Sequence, residues 1–331
     1  MTYKYNNVYV GGFSTVAGPY EKKGPLGKDF DKTYNNLYMG EKTWEKAEVR
    51  LLTDSINLLL KKINKEKTNI DLLISGDLLN QVTASSYTAV KFDIPFLGIY
   101  NACASSVEGL IIGSSLIDSG KIKNCIASVS SHNMSSEKQF RNPTEYGASK
   151  PSSATFTSTG GASIYLTNEK TEIKVESSTI GKVIDMGQTD PYNMGGVMAP
   201  AAANTIYEHL KSLKREPNYY DLIITGDLGI YGKQILIDYM NTEYGYDISN
   251  NYEDAGTLLY DLNKQKEVMA GGSGPVCSAL VNYSKILPKM LKGDLSRVLF
   301  VATGALFSPT FIYQHENIPS IAHAISLEVS K

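Results

Sequence analysis

The sequence predicts an α/β protein built from two duplicated halves, in which two sheets enclose buried helices. Residues 70–78 recur as residues 220–228, and each copy is a short apolar run ended by Gly-Asp. Such a run is typical of a buried strand that leads into a turn. Residues 103–131 recur in the same order as residues 276–304, each as a helix, a glycine and a strand. Two ordered matches favour duplication over a chance similarity between buried strands.

The two halves are assigned to residues 1–168, which carry Cys103, and residues 169–331. The second pair of matching segments is further apart in the sequence than the first pair. We therefore expect an insertion in the second half, within residues 233–268.

The elements around these repeats alternate between strand and helix, which favours crossover connections and mostly parallel pairing. Thr43 is the expected N-cap of the first long helix, where apolar residues recur at helical spacing. The predicted strands cover residues 8–12, 70–76, 94–100, 124–130, 162–167, 172–182, 220–225, 297–303 and 321–329. The predicted helices cover residues 43–64, 103–117, 202–213 and 276–291.

The helix predicted over residues 103–117 is composed mainly of small and apolar residues, with Glu108 as its only charge. Small residues allow neighbouring backbones to approach closely. We therefore expect this helix to run through the middle of the molecule, with Cys103 at its N-terminus.

Composition excludes several classes of function. The chain has 331 residues and a net charge of −2, which argues against a protein whose main partner is nucleic acid. It has no apolar run long enough to span a membrane and no apolar segment near its start, so no secretory signal is expected. Three cysteines without a paired spacing indicate free thiols in a reducing compartment. Neither metal-ligand spacing nor a nucleotide-binding glycine motif is present, so we expect no metal and no cofactor.

Cys103 is the leading candidate for a site residue, because a helix N-terminus lowers a thiol pKa and can bind an anion. The alternative is a buried structural cysteine. A nucleophilic cysteine needs a base, usually histidine. His132 follows a predicted strand at a position where site residues collect in α/β sheets. His209 is expected on a solvated helix face, and His315 and His323 fit structural roles.

Two further segments suit an anionic ligand. Arg141 lies in a long loop and can bind a carboxylate through two hydrogen bonds, or can be a solvated charge. Residues 271–274, Gly-Gly-Ser-Gly, precede a helix and either present N–H groups to an anion or form a tight turn required by packing.

The chain resembles the thiolase-like condensing-enzyme superfamily in three features: its duplication, Cys103 at a helix head and the Gly-rich turn of the second half. Within that superfamily it is similar to the stage V sporulation protein AD family. The residues that carry this second resemblance are Gly24-Pro25-Leu26-Gly27-Lys28-Asp29-Phe30-Asp31, Gly76-Asp77-Leu78-Leu79-Asn80-Gln81, Ser130-Ser131-His132-Asn133, residues 141–147, Met198-Ala199-Pro200-Ala201-Ala202-Ala203, Ala270-Gly271-Gly272-Ser273-Gly274, Gly304-Ala305-Leu306-Phe307-Ser308-Pro309-Thr310 and Ile318-Pro319-Ser320-Ile321-Ala322-His323.

The resemblance implies a thiolase-like five-layered αβαβα fold and a homodimer. It also implies a role in sporulation and germination, as a subunit of a spore membrane assembly that transports dipicolinic acid. The family binds that acid, so dipicolinic acid or its calcium complex and the other subunits of the spore membrane channel are the expected partners. The expected location is the inner membrane of the forespore and spore, with peripheral attachment through those partners.

The chain departs from the active condensing enzymes, which pair the cysteine with two histidines or with histidine and asparagine from the second half. Asp227 and the turn Gly272-Ser273-Gly274 stand at those places. Neither can replace the missing bases, which predicts a pseudoenzyme that binds its ligand without catalysis. A calcium ion is the expected bridge between Asp227 and a dianionic ligand.

The predicted ligand-binding residues are Cys103, His132, Arg141, Asp227, Gly272, Ser273 and Gly274, with Tyr100 or Phe307 as contacts for an aromatic ring. The alternative function is a cysteine-dependent acyltransferase or condensing enzyme that uses Cys103 with His132 as an unusual base. A third possibility is a scaffold subunit whose pocket is vestigial.

Overall fold

The computed structural model describes residues 1–140 and 150–330. Its strands are β1 (Thr2–Lys4), β2 (Tyr9–Ala17), β3 (Lys32–Thr33), β4 (Leu73–Gly76), β5 (Phe96–Ile99), β6 (Asn124–Ser131), β7 (Phe156–Thr157), β8 (Gly160–Thr167), β9 (Ile173–Ile180), β10 (Leu222–Thr225), β11 (Tyr252–Asp254), β12 (Gly272–Ser273), β13 (Arg297–Ala305) and β14 (Ser320–Val329).

Its α-helices are α1 (Pro19–Lys23), α2 (Trp44–Lys62), α3 (Thr83–Phe92), α4 (Ser105–Asp118), α5 (Asn133–Phe140), α6 (Met194–Leu213), α7 (Gly229–Tyr244), α8 (Ala255–Leu258), α9 (Pro275–Val281), α10 (Leu287–Leu291) and α11 (Pro309–Tyr313). A π-helical turn, Asn282–Ile286, joins α9 to α10. No helix in the described part of the chain combines the length and the apolar character needed to cross a bilayer.

The strand order repeats between the two halves. The first half has the order β2-β8-β6-β4-β5, and the second has the equivalent order β9-β14-β13-β10-β11. In each half the first strand lies beside the last, and the fourth strand in chain order separates the last from the second. The two sheets touch where Tyr9 and Val10 of β2 pair with Lys174 and Ile173 of β9. The predicted duplication is confirmed by this order, while the division into units after residue 168 stays a prediction.

Helices form the other three layers. α4 and α9 pack against each other between the two sheets, α2 and α3 cover the outside of the first sheet, and α6 and α7 cover the outside of the second. Across the central layer, Ser106 and Ser278 share a hydrogen bond of 3.1 Å between their Oγ atoms. The predicted five-layered αβαβα fold is therefore confirmed.

The central position of α4 follows from its small residues. A side chain at Gly113 would place its Cβ 2.6 Å from Cys125 Sγ, so only glycine allows β6 to pack this closely. The helix begins at Ser105 rather than at Cys103, because residues 102–104 first form a short 3₁₀ turn. Ala102 has a left-handed φ of +48°, which an α-helix cannot contain.

Two other helices test the predicted boundaries. Thr43 caps α2 by accepting a hydrogen bond from the Lys46 N–H, as predicted. The predicted start of α6 at residue 202 is wrong, because the helix begins at Met194 and is capped by the Asn193 side chain. Pro200 lies inside this helix, where its ring removes one backbone hydrogen bond without ending the element. The extra residues of the second half lie in the longer α7 and between β11 and α9, where we predicted an insertion within residues 233–268.

The predicted solvent exposure of His209 on α6 is also wrong. The side chain is fully buried, with its Nδ1 atom 2.8 Å from the Thr179 hydroxyl and its Nε2 atom 2.7 Å from the Tyr220 hydroxyl. Burial lowers the pKa of His209 to about 3. This histidine therefore joins the helix to the sheet beneath it as a neutral side chain.

Candidate functional site

A cavity of about 250 Å³ lies at the head of the central helix α4, and both halves of the chain contribute to its walls. Most of the lining is apolar, and its polar side chains among the described residues carry thiol, hydroxyl or carboxyl groups. The lining residues are Leu78, Tyr100, Ala102, Cys103, Ser136, Glu137, Phe140, Thr157, Met194, Ser273, Gly274, Ala305, Leu306 and Phe307.

Cys103 is half-buried in this cavity, at the turn that connects β5 to α4. The left-handed Ala102 bends the chain sharply just before it, which is the kind of local strain that folds keep at functional sites. The end of β13 packs against this turn through Gly304. A Cβ atom at Gly304 would lie 3.1 Å from the Asn101 carbonyl oxygen, so glycine permits this close approach.

Asp227 is the immediate partner of the Cys103 thiol. Asp227 is 1% exposed and lies two residues after Thr225, the last residue of β10. It accepts hydrogen bonds from the Thr303 hydroxyl, at 2.5 Å, from the Gly274 N–H, at 3.3 Å, and from the thiol. Burial raises the pKa of Asp227 to about 7, against the lowering effect of these hydrogen bonds.

The same arrangement raises the pKa of the Cys103 thiol well above its ordinary value. Burial is the largest cause, followed by the negative charge of Asp227 and the hydrogen bond that the thiol donates to it. The Gly274 N–H acts in the opposite direction but does not compensate. The expectation that the helix N-terminus lowers this pKa is therefore wrong, because burial and the carboxylate outweigh the helix dipole. At neutral pH the sulfur stays protonated and is a poor nucleophile.

The Gly-rich turn reaches the site as predicted, although only part of it lines the cavity. Gly272 and Ser273 form β12, which pairs with β7 of the first half. Gly274 has a φ of +95°, a conformation that favours glycine, and its N–H points at Asp227. Ser273 and Gly274 line the cavity, whereas Gly272 packs behind them against Tyr260 and Cys277.

His132 is not brought into this group. It is fully buried, and its Nε2 atom lies 2.7 Å from the Leu37 carbonyl oxygen, while its Nδ1 atom accepts the Met134 N–H at 3.1 Å. Burial lowers its pKa to about 4. Because both ring nitrogens are occupied and the residue does not line the cavity, the structure does not support His132 as a base for Cys103 or as a ligand contact.

Arg141 lies outside the described residues, so its predicted contact with a ligand carboxylate stays a prediction. An ion pair between two described residues on either side of Arg141 in the chain lies at the cavity. Lys150 Nζ lies 2.6 Å from Glu137 Oε1, and Glu137 belongs to the lining.

Several site residues carry no signal in the sequence. Phe140 packs edge-on against Phe307 with ring centroids 5.7 Å apart, and together with Tyr100 they give the cavity aromatic walls. Thr303 and Ser136 are single hydroxyl residues within ordinary strand and helix segments. Tyr100 and Phe307 both line the cavity, and their joint placement depends on loops from different halves. Their predicted contact with the ring of a ligand stays a prediction.

His323 lies next to the Cys103 turn and not at the thiol itself. Its Nε2 atom is 3.0 Å from the Asn101 side-chain amide, and its Nδ1 atom accepts the Gly181 N–H at 3.2 Å. Burial lowers its pKa to about 4. This histidine therefore fits the structural role that we expected of it.

Within residues 1–140 and 150–330, no group of three or more His, Cys, Asp or Glu side chains has the geometry of a metal site. Asp227 is not among the residues that line the cavity, so its predicted calcium bridge to a ligand stays a prediction. Asp254 influences the Asp227 pKa, but its own carboxylate is occupied by the N–H groups of Leu228 and Gly229.

Comparisons with known proteins agree with this architecture. Among solved structures, the chain is similar to 3-oxoacyl-[acyl-carrier-protein] synthase III from Aquifex aeolicus VF5, with a TM-score of 0.57 and 13% identity over 97% of this chain and 99% of that one. It is also similar to a single-residue variant of OleA from Xanthomonas campestris, with a TM-score of 0.59 and 14% identity over 98% and 99% of the two chains. Likeness at this level of identity shows the thiolase-like fold alone.

The sequence comparisons are more specific. The model of the stage V sporulation protein AD family matches residues 2–328. The curated stage V sporulation protein AD of Bacillus subtilis (strain 168) is 48% identical over 321 residues, which cover 97% of this chain and 94% of that protein. The chain therefore belongs to the stage V sporulation protein AD family.

Proposed function

We propose that this protein binds dipicolinic acid, or its calcium complex, in the Cys103 cavity and catalyses no reaction there. In this proposal it is one subunit of a spore membrane assembly that transports dipicolinate during sporulation and germination. Membership of a sporulation family supports the setting. The ligand, the transport role and the lack of catalysis are inferred from the site.

The observation that carries the proposal is the contact between Cys103 and Asp227. A condensing enzyme needs a thiolate, and here a buried carboxylate accepts a hydrogen bond from the protonated thiol and raises the pKa of Cys103. A thiolate and a carboxylate in direct contact in a buried site would repel each other strongly. The pair therefore favours a neutral thiol, which makes Cys103 part of a cavity wall.

The cavity walls suit a flat aromatic ligand. Tyr100, Phe140 and Phe307 supply apolar ring surface, and hydroxyl groups supply hydrogen bonds to carboxylates. The described lining contains no lysine or arginine. Because a buried dianion without a cation is costly, this lining favours the calcium complex, in which the metal neutralises both carboxylates, or the ligand bound while Asp227 is protonated.

The proposed attachment to the spore inner membrane is peripheral and depends on the other subunits of the assembly. We also propose a homodimer. Its support is strand β5, which among the described strands pairs with β4 alone and leaves its other edge open beside the exposed side chains of Leu97 and Tyr100. An open strand edge with exposed apolar side chains is a natural surface for a second copy.

Calorimetric titration of the purified chain with dipicolinate, with and without calcium, tests the binding. Cys103→Trp should fill the cavity and abolish binding, whereas the nearly isosteric Cys103→Ser should weaken it only modestly. Cys125→Ala is the matched control, because Cys125 is buried within the α4–β6 packing and does not line the cavity. Equal titration curves for the wild type and Cys103→Trp would place the ligand elsewhere, and no heat with the wild type would reject the proposal.

One observation favours the alternative of an acyltransferase, namely the cysteine placed after a strained turn at a helix head. Incubation with acetyl and malonyl thioesters followed by intact-mass measurement separates the two functions. A binding protein should show no acyl adduct on Cys103. A stoichiometric adduct that turns over would establish the enzyme instead.

A further inference from the structure

We propose that Ser136 is a ligand-binding residue, whose hydroxyl donates a hydrogen bond to a carboxylate of the molecule that occupies the Cys103 cavity. This inference rests on the proposed function and assigns a specific donor to it. No feature of the sequence singles out Ser136.

The position of Ser136 is the first observation. It belongs to α5, the helix that follows β6, and it is 3% exposed. It lines the cavity together with the next residue, Glu137. A polar side chain at this place is surrounded by the apolar lining described above.

The second observation is that the Ser136 hydroxyl has no hydrogen-bond partner within residues 1–140 and 150–330. Serine in a helix usually donates to the carbonyl four residues earlier. Here that carbonyl belongs to His132, and it already accepts the Ser136 N–H, at 3.1 Å, and the Ser135 hydroxyl, at 3.0 Å. These two donors use the acceptor capacity of the His132 carbonyl, which is consistent with the unpaired Ser136 hydroxyl.

The neighbouring Ser135 shows what a structural serine does in the same helix. Its hydroxyl also contacts the Glu48 carboxylate at 2.7 Å, and it does not line the cavity. Buried hydroxyls without a partner are uncommon, because each costs free energy that a methyl group would not. A hydroxyl kept unpaired in the wall of a cavity indicates a partner that arrives with the ligand.

The chemistry of that partner follows from the lining. The Ser136 oxygen is shielded in this conformation, and rotation about the single Cα–Cβ bond would swing the hydroxyl to another staggered position from which it can reach an acceptor in the cavity. Glu137 is paired with Lys150, whose positive charge offsets that carboxylate. The Ser136 side of the cavity can thus receive the negative end of a ligand, while the aromatic walls hold its ring.

Titration of Ser136→Ala with dipicolinate, alongside the wild type and Ser135→Ala, tests this assignment. Loss of a hydrogen bond to a carboxylate should weaken binding roughly ten- to a hundredfold in Ser136→Ala. The melting temperature of the ligand-free Ser136→Ala protein should be unchanged or higher, since only an unpaired hydroxyl is lost. Ser135→Ala should show the opposite pattern, with a lower melting temperature and unchanged affinity.

The outcomes separate this inference from the function on which it rests. If the wild type binds dipicolinate and Ser136→Ala binds it equally well, Ser136 is not a ligand contact. If Ser136→Ala lowers the melting temperature of the ligand-free protein as much as Ser135→Ala does, its role is structural and the inference also fails. If the wild type binds nothing, the proposed function fails first. A structure of the complex should show a ligand carboxylate oxygen within hydrogen-bond distance of Ser136 Oγ.

Discussion

Asp77 and Asp227 occupy the same place in the repeated segments of the two halves, just after the strands β4 and β10, yet they perform different tasks. Asp77 accepts hydrogen bonds from the N–H groups of Leu79, at 2.9 Å, and Ser85, at 2.8 Å, and so holds its own loop together. Asp227 instead reaches across to Cys103 and Gly274 at the cavity.

The neighbouring strand explains the difference. In the second half, Thr225 of β10 pairs with Asp254 of β11, and Asp254 accepts the N–H groups that follow β10. In the first half, Ser75 of β4 pairs with Gly98 of β5, which has no side chain. The loop after β4 therefore depends on Asp77. Where a second carboxylate takes over the loop, the repeated aspartate becomes free to serve a site.

The largest effect should come from removing the structural member of the pair. Asp77→Ala leaves two buried N–H groups without their acceptor and should lower the free energy of unfolding by about 3 kcal/mol. Alkylation of Cys103 should proceed at its normal rate, because Asp77 does not touch the thiol. Denaturant unfolding and thiol alkylation measure the two effects. A change in Cys103 reactivity as large as the change in stability would erase the distinction between the halves.

Substitution of Asp227 should change the reactivity of Cys103 more than the stability of the fold. Asp227→Asn removes the negative charge beside the thiol, so the pKa of Cys103 should fall and its alkylation by iodoacetamide at pH 8 should accelerate about tenfold. Near pH 4, where Asp227 is protonated in the folded protein, stability should change little, because the Asn amide can still accept from Gly274 and donate to the Thr303 hydroxyl. At higher pH the variant should be more stable than the wild type, because it has no carboxylate to ionise. Asp77→Asn is the matched control and should leave the rate unaltered. An unchanged rate in Asp227→Asn would mean that burial alone suppresses the thiolate.

The pH dependence of stability should also distinguish Asp227. Its pKa of about 7 in the folded protein is raised above the value of about 4 expected in the unfolded chain. The folded state therefore retains a proton that the unfolded state has released, and stability falls as the pH rises from about 4 and continues to fall until it passes the folded-state pKa. Glu21, with a pKa of about 7, and Glu48, with a pKa of about 8, act in the same direction.

Between about pH 6 and pH 8, the free energy of unfolding of Asp227→Asn should fall by about 1 kcal/mol less than that of the wild type. Guanidinium unfolding of both proteins across this range provides the measurement. Identical slopes for the variant and the wild type would show that Asp227 does not titrate in this window.

The smallest expected effect tests whether a carboxylate on the neighbouring strand can replace the loop contacts of Asp77. Gly98→Asp places a carboxylate at the position equivalent to Asp254, and in the background of Asp77→Ala it should restore about 0.5 kcal/mol of stability. Val82 and Phe96 must yield slightly, because a Cβ atom at Gly98 would lie 3.0 Å from Val82 Cγ2. Gly98→Ala carries the same steric cost without the acceptor and is the control. Equal stability of the two double variants would count against the exchange of roles.

These positions also show what the sequence could and could not predict. The repeat predicted that Asp227 and the Gly-rich turn lie near Cys103, since equivalent strand ends and helix starts converge in a duplicated fold. Thr43 was predictable because a helix cap depends on a side chain and an N–H three residues apart. The difference between Asp254 in the second half and Gly98 in the first half could not be predicted, because their equivalence depends on the register between strands that are distant in sequence.

The errors have the same origin. His132 follows a strand end, but its ring is held by the Leu37 carbonyl of a remote loop, which no local pattern encodes. The thiol pKa of Cys103 was expected to be low from its helix alone, whereas the neighbouring carboxylate comes from the other half. Local rules therefore predicted elements and their convergence, and failed where a contact between distant segments sets the orientation or charge.

The segment added between β11 and α9 has a consequence for stoichiometry. It carries Tyr260, which is buried against Gly272 near the head of the second central helix and donates a hydrogen bond to Glu21. Its ring packs against Phe156 with ring centroids 5.8 Å apart, and the first residues of α9, Pro275 and Val276, are buried, whereas Cys103 at the head of α4 is half-buried. Because this packing fills the head of the second central helix, we expect each polypeptide to take up a single ligand molecule in the calorimetric titration.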